Sequence, residues 1–281
     1  MKLGYHKTEL LVKLLKTVIF FIVGLLFLIP LFWMLSSSLK TPSEVFARDF
    51  KWLPANPVWA NYTRVWTDEK VNMANGFMNS AIITVSGIVV ALVFSSLAAY
   101  AFAKVEFKGK NFVFMLFLST MMLPMEVTII PRFMIFHKIG LYNNLMSVIL
   151  PHWFAPSAIF MLRQFYMGLP TDLMEAAKID GAGHPRIFAQ VMMPLTKTAL
   201  VSQCVLLFVS TWNEYMAPLI FLANQKLYTA SLVVKYQVFE EGSSTSQLMA
   251  ASASAIIPTV IIFMFCQRYF VEGIATSGVK G

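Results

Sequence analysis

Residues 174–194 read MEAAKIDGAGHPRIFAQVMMP, and they interrupt a chain that is otherwise oily. Glu175, Lys178, Asp180 and Arg186 bring charge into the stretch, and Gly181, Gly183 and Pro185 break it in the middle. Asp172 is a candidate N-cap with Glu175 three residues on, the spacing of a capping box. Leu173, Ala176 and Ala177 fall on one helical face. Gly181 stands where helices commonly end in a left-handed residue. A second helix starts at Pro185, a residue tolerated in the first turn. It carries the apolar stripe Ile187, Phe188, Val191 and Met192, and Pro194 stops or kinks it. Each piece has about ten residues and so measures about 15 Å, too short to cross a bilayer. The spacing therefore predicts a compact helix-turn-helix outside the hydrocarbon. Two uses stay open on these residues alone. The pair lies flat on the membrane surface, or it is a docking knob whose small Ala176, Ala177, Gly181, Ala182 and Gly183 let a cytoplasmic partner's backbone approach.

The rest of the chain sets the context. Of its 281 residues 58% are hydrophobic and 13% charged, and the mean hydropathy is +0.68. Soluble domains carry about 25% charge, so an all-α membrane protein is expected. Runs of about 20 apolar residues suffice for a hydrocarbon core of about 30 Å. Six candidate spans lie near 17–36, 78–103, 111–131, 144–162, 198–222 and 249–270. The N-terminal run is too long for the core of a signal peptide and reads as an uncleaved anchor. The net charge of +8 has a membrane explanation. When six spans alternate, both termini, the 104–110 loop and the 163–197 loop share one side, and they hold 13 of the 22 basic residues. Basic residues collect on the cytoplasmic side, so both termini are expected there. No Arg-rich run with interleaved aromatics supports a nucleic-acid partner. Cys204 and Cys266 fall inside spans and read as small apolar residues. The expected organisation is residues 1–76 as a cytoplasmic segment, first span and ordered extracytoplasmic loop. Residues 77–271 form a core of five spans, and 272–281 a cytoplasmic tail. The Asn61-Tyr62-Thr63 sequon is short enough to occur by chance and carries no weight.

Polar groups inside spans are functional candidates. Glu214 lies in TWNEYMAPLI, 211–220, with Trp212, Asn213 and Tyr215. Amides, carboxylates and aromatic faces suit a sugar pathway. The same residues suit a polar seam to a neighbouring subunit. Glu126, between Pro124 and Pro131, marks a gate or bend, or is a satisfied structural carboxylate. His184 reads as a turn or N-cap residue. No GxxxxGK[ST] phosphate loop, HExxH, GxSxG or Cys/His cluster occurs in the chain. Neither a catalytic residue nor a metal or cofactor site is assigned, and any energy source must act in trans.

The spacing Glu175-Ala176-Ala177, three residues, Gly181, nine residues, Val191, one residue, Met193-Pro194 resembles the EAA loop of binding-protein-dependent ABC transporter permeases. Val191 and Met193 replace the family's Ile and Leu and stay apolar. WMLSSSLK (33–40), SLAAYAFAK (96–104), LPMEVTIIP (123–131), LRQFYMGLP (162–170) and the tail GVKG (278–281) resemble the MalG-like branch that imports carbohydrates. The resemblance implies a six-span permease subunit that is not itself an enzyme, in a bacterial inner membrane. It implies a second homologous permease, two ATPase subunits that bind the ATP and Mg, and an extracytoplasmic solute-binding protein. It also implies that Glu175, Ala176, Ala177, Gly181 and Pro194, with Asp180 beside them, dock on the ATPase at 172–194. The tail at Val279–Gly281 is implied to reach toward the same partner. Alternating access driven by ATP would then move a mono- or oligosaccharide. Two alternatives are a permease for another solute, such as a glycerol phosphate ester, and an ion-driven secondary transporter, against which the EAA spacing argues.

Overall fold

A computed structural model describes residues 2–49, 51–239 and 244–278. Among the described residues all regular structure is helical. The chain divides into two compact units, residues 1–68 with 234–254, and residues 69–233 with 255–281.

The first unit opens with α1 (Lys2–Ser38), followed by α2 (Pro42–Val45) and α3 (Ala60–Thr67). Residues 9–32 of α1 are exposed on every side. A helix apolar all round is stable in hydrocarbon, where its backbone bonds close internally. Polar chemistry begins where α1 ends. Ser36 Oγ donates to the Trp52 carbonyl, and Ser38 Oγ and the Tyr62 hydroxyl lie 2.8 Å apart. Lys40 is only 1% exposed and donates to the Lys51 carbonyl. Asn61 Nδ2 donates to the carbonyls of Ser38 and Lys40 at 2.8 and 3.0 Å. The buried Asn61 side chain is thus a clasp between α1's end and α3. Asn61→Leu orphans both carbonyls and is expected to lower stability by about 2 kcal/mol, read as an earlier thermal transition.

The second unit is organised around α4 (Met73–Lys104), which packs against α5 (Lys110–Thr120), α7 (Met146–His152), α8 (Pro156–Met167) and α12 (Lys197–Trp212). Its buried residues include many small or polar ones, Gly76, Asn79, Ser80, Thr84, Gly87, Ala91, Ser95 and Ala99, beside the larger Met73, Ile83 and Ile88. Met78, Ile82, Val85, Val89 and Phe94 face outward. Small residues at helix contacts and apolar ones toward lipid are the membrane arrangement. The remaining elements of this unit are α6 (Met125–Lys138), α9 (Asp172–Ile179), α10 (His184–Ile187), α11 (Met193–Leu195) and α13 (Met216–Phe221). The last two helices are α14 (Ala230–Phe239) and α15 (Thr245–Gly278).

Among the described residues, three helical stretches are long and apolar enough to cross a membrane unbroken: Glu9–Ser38, Met73–Lys104 and Thr245–Gln267. They match the first, second and sixth expected spans. The other three are not continuous, and the breaks in the first two lie beside Pro124 and Pro156. The run at 111–131 is α5 and α6, bent by 94°. Leu123 N–H bonds the Thr120 carbonyl in a closing turn, and Pro124 caps α6. The run at 144–162 stops at Trp153, and Ala155 before Pro156 leaves the helical region with φ −120° and ψ 80°. A residue before proline is pushed out of helix by the ring. The run at 198–222 ends at Trp212 and restarts at Met216, and α12 itself meets His184–Leu195 at 77°.

Candidate functional site

The helix-turn-helix forms where the spacing placed it, with different internal geometry. The N-cap of α9 is Thr171, not Asp172, and its side chain makes no capping bond. Asp172 and Glu175 occupy the first turn instead, where carboxylates favour the positive end of the helix. The inward residues also differ. Met174 is buried and Ala177 packs beside it on Leu162, Tyr166 and Ile187. Leu173, Ala176 and Glu175 point away, and Ile179 is 87% exposed. Gly181 adopts φ +80°. The Ala182 amide donates to the Ala177 carbonyl at 2.9 Å and the Gly181 amide to the Lys178 carbonyl at 3.0 Å. This pair of bonds is a Schellman closure, which needs a left-handed residue at Gly181.

The second half is α10, a π turn over Phe188–Met192, and α11. The π turn has a local cause. Pro194 has no amide to donate and its ring crowds the carbonyl four residues back, so the backbone widens by one residue. Met193 N–H accordingly donates to the Phe188 carbonyl. Thr196 Oγ1 then donates to the Met192 and Met193 carbonyls at 3.0 and 3.1 Å.

This assembly is fastened to α4 by groups that sequence reasoning passed over. The Tyr100 hydroxyl lies 2.9 Å from His184 Nδ1, and its ring packs on Tyr166, His184 and Phe188. Lys104 Nζ donates to the Leu169 carbonyl at 2.8 Å. His184 is therefore a tie to α4 rather than a simple turn residue. The only advance signal was an aromatic and a lysine at the end of an apolar run.

The other candidates cluster around breaks. Glu214 is half-buried, its Oε1 accepts the Ala217 amide at 3.1 Å, and its backbone carbonyl accepts the Ser231 hydroxyl at 2.7 Å. Asn213 is exposed and Tyr215 half-buried beside it. Trp212 is turned inward: its indole donates to the Ala255 carbonyl at 2.9 Å and stacks on Phe208 at 5.6 Å. Upstream on α12, Gln203 is buried and Ser210 exposed. Pro124 stands at the 94° bend, Glu126 is exposed in the first turn of α6, and Pro131 lies inside α6 without ending it. The tail residues Val279–Gly281 lie outside the described residues.

The family described as "Binding-protein-dependent transport system inner membrane component" matches residues 87–276, from within α4 to within α15, and so includes α9, α10, α11 and the Glu214 break. The chain belongs to that family. This permease is 35% identical over 268 residues to the arabinooligosaccharides transport system permease protein AraQ of Bacillus subtilis (strain 168), covering 94% of this chain and 95% of the relative. It is 33% identical over 278 residues to AraQ of Halalkalibacterium halodurans, covering 98% and 99%. It is also 33% identical over 270 residues to the sn-glycerol-3-phosphate transport system permease protein UgpE of Yersinia pestis, covering 92% and 95%. Among solved structures, a bacterial ABC transporter involved in the import of the acidic polysaccharide alginate shares the fold. Its TM-score is 0.80 at 24% identity, covering 94% of this chain and 98% of that one. The permease is thus a multi-pass inner-membrane protein of the ABC transporter class.

Proposed function

We propose that this permease is one half of a paired carbohydrate pathway, driven by ATP hydrolysed in partner subunits. The observation that carries the reading is the α9–α10 pair. It presents Glu175, Ala176, Leu173 and Ile179 outward while Met174 and Ile187 anchor it from behind. An exposed apolar and small-residue face on a rigid base suits a protein groove better than solvent. In this reading Glu175, Ala176, Ala177, Asp180, Gly181 and Pro194 couple the membrane helices to an ABC ATPase. Two ATPase copies carry the ATP and Mg, a second homologous permease completes the pathway, and an extracytoplasmic binding protein delivers the solute. Both termini and α9–α10 then face the cytoplasm. Closure of the ATPase pair rotates the helices from inward-facing to outward-facing. Asn213, Glu214 and Tyr215 line the pathway. Trp212 supports them from within the packing. The bend at Pro124, with Glu126 after it and Pro131 further along, gives the pathway a jointed wall.

Carbohydrate is preferred over a phosphate ester on one observation. A pathway for an anion calls for cations along it, whereas the break at 213–215 presents an amide, a carboxylate and a phenol, groups that hydrogen-bond hydroxyls. The names of the relatives support both solutes, and the test separates them. The permease is reconstituted with its partner subunits in vesicles holding ATP. Uptake of labelled arabinooligosaccharide and of sn-glycerol-3-phosphate is then measured side by side. Saturable, ATP-dependent oligosaccharide uptake is expected. Uptake of the ester alone overturns the carbohydrate reading, and uptake that ignores ATP overturns the coupling.

A further inference from the structure

A cavity of about 520 Å³ lies between the end of α4, the start of α5 and the outer face of α8, away from α9 and from the Glu214 break. Its lining includes Arg163, Lys110, Glu106, Phe107, Phe112 and Met167. We propose that it binds a phosphate-type oxyanion, presented by the headgroup of an anionic phospholipid.

Charge comes first. Arg163 is held in place from two directions: its Nε donates to the Phe102 carbonyl at 3.2 Å, and its guanidinium sits 4.1 Å over the Phe114 ring. A fixed planar guanidinium is a good oxyanion receptor because little freedom is lost on binding. The Lys110 side chain is 14% exposed and its Nζ lies 2.9 Å from Glu106 Oε1. That carboxylate is 89% exposed, so it is free to swing into water and leave two cations facing one cavity. The eleven-residue α5 also begins here, and its N-cap is Gly109, which has no side chain to cap the first amides. Helix N-termini attract anions for that reason.

Depth selects the source of the anion. The apolar span α4 ends at Lys104, two residues before Glu106 in the cavity's lining, and a span's end is where hydrocarbon gives way to headgroups. Phe107, Phe112 and Met167 are exposed around its mouth, where they face acyl chains while the cations face the phosphate. A soluble phosphate gains nothing from that apolar rim.

The test uses full-length permease stripped of native lipid in detergent. Dioleoylphosphatidylglycerol and dioleoylphosphatidylcholine are titrated and bound lipid is counted by native mass spectrometry. Phosphatidylglycerol is expected to bind at least about 5-fold tighter, and Lys110→Gln to remove about 5-fold of its affinity while leaving phosphatidylcholine unchanged. Arg163→Gln should act likewise, but it also strips a contact from Phe114. Glu106→Gln, on an exposed side chain, therefore serves as the independent check and should strengthen phosphatidylglycerol binding. Inorganic phosphate that competes only at concentrations far above the lipid supports the headgroup assignment. Phosphate that binds as tightly as the lipid reassigns the cavity to a soluble anion. Equal binding of the two lipids, or indifference to both Lys110→Gln and Glu106→Gln, overturns the proposal.

Discussion

Gly181→Asp is expected to leave the permease inserted and folded while uptake and ATPase association are lost. The two halves of that expectation have separate causes. At φ +80° most side chains are strained, but Asp is among the few that visit the left-handed region, at about 1 kcal/mol. A Cβ at Gly181 meets no atom within 4 Å, so the fold has room for the carboxylate. The Schellman bonds from Ala182 and Gly181 involve backbone only and persist. The damage falls on the outer side. If a partner backbone closes over Gly181, a carboxylate there is buried without a counter-charge, which costs several kcal/mol. Association should weaken by at least about 30-fold, the size of a hot-spot loss. Pull-down of the ATPase and vesicle uptake read the effect, and detergent-solubilised melting reads the fold. Gly181→Asn has similar size and turn tolerance without charge and should retain part of the association. Wild-type uptake in Gly181→Asp would show that nothing docks at this turn.

Gly76→Leu should collapse the second unit itself. A Cβ at position 76 would stand 2.8 Å from Val233 Cγ2 and 3.2 Å from both the Ala230 Cα and its amide nitrogen. Val233 can turn aside, but the Ala230 backbone cannot. Asn79 Nδ2 holds the Lys226 and Tyr228 carbonyls at 2.8 and 3.0 Å, and Ser80 Oγ accepts the Ala230 amide at 2.9 Å. Retreat from the branches of the introduced leucine would break these three bonds inside the packing. Overpacking costs about 1–3 kcal/mol, and each buried group left unpaired about 1–3 more. The sum is comparable with the whole stability of a typical domain, about 5–15 kcal/mol. The variant should accumulate poorly and be cut rapidly by protease. Gly76→Ala should be milder and partly rescued by Val233→Ala, because one of its contacts is only a side-chain tip. A Gly76→Leu protein that melts with wild type would mean that α4 and the 226–233 segment are not joined in this way.

Much of the helix-turn-helix was legible because its punctuation is local. Gly181 and Pro194 act within one turn of themselves, and both act as their chemistry demands. Which face of α9 turns inward was not legible. An eight-residue helix with Leu173, Met174, Ala176, Ala177 and Ile179 has apolar residues nearly all round, and only the position of Leu162 and Tyr166 selects Met174. Which spans are continuous was not legible either. Hydropathy stays high around Leu123 and Phe154, so composition does not register that the helix stops there, whereas at Tyr215 the break follows the polar pair Asn213-Glu214. Pro124 and Pro156 beside the first two breaks carried a signal, but Pro30, Pro131 and Pro258 lie inside helices that continue, so proline alone does not decide. Glu214 and Trp212 are neighbours in sequence with opposite fates. The break begins immediately after Trp212, which leaves the indole on α12's packed side and hands the carboxylate to α13.

The broken spans also bear on how the chain enters the membrane. At 1.5 Å per residue, α5 with 11 residues and α8 with 12 reach only about 16–18 Å, far short of the hydrocarbon core of about 30 Å. Neither can be inserted on its own hydrophobicity. Among the described residues, α1, α4 and α15 carry a complete hydrophobic signal along one helix. Insertion of the half-helices is therefore expected to depend on a template: α4 is in place as a finished rod before them, and they gain a place in the bilayer by packing against it.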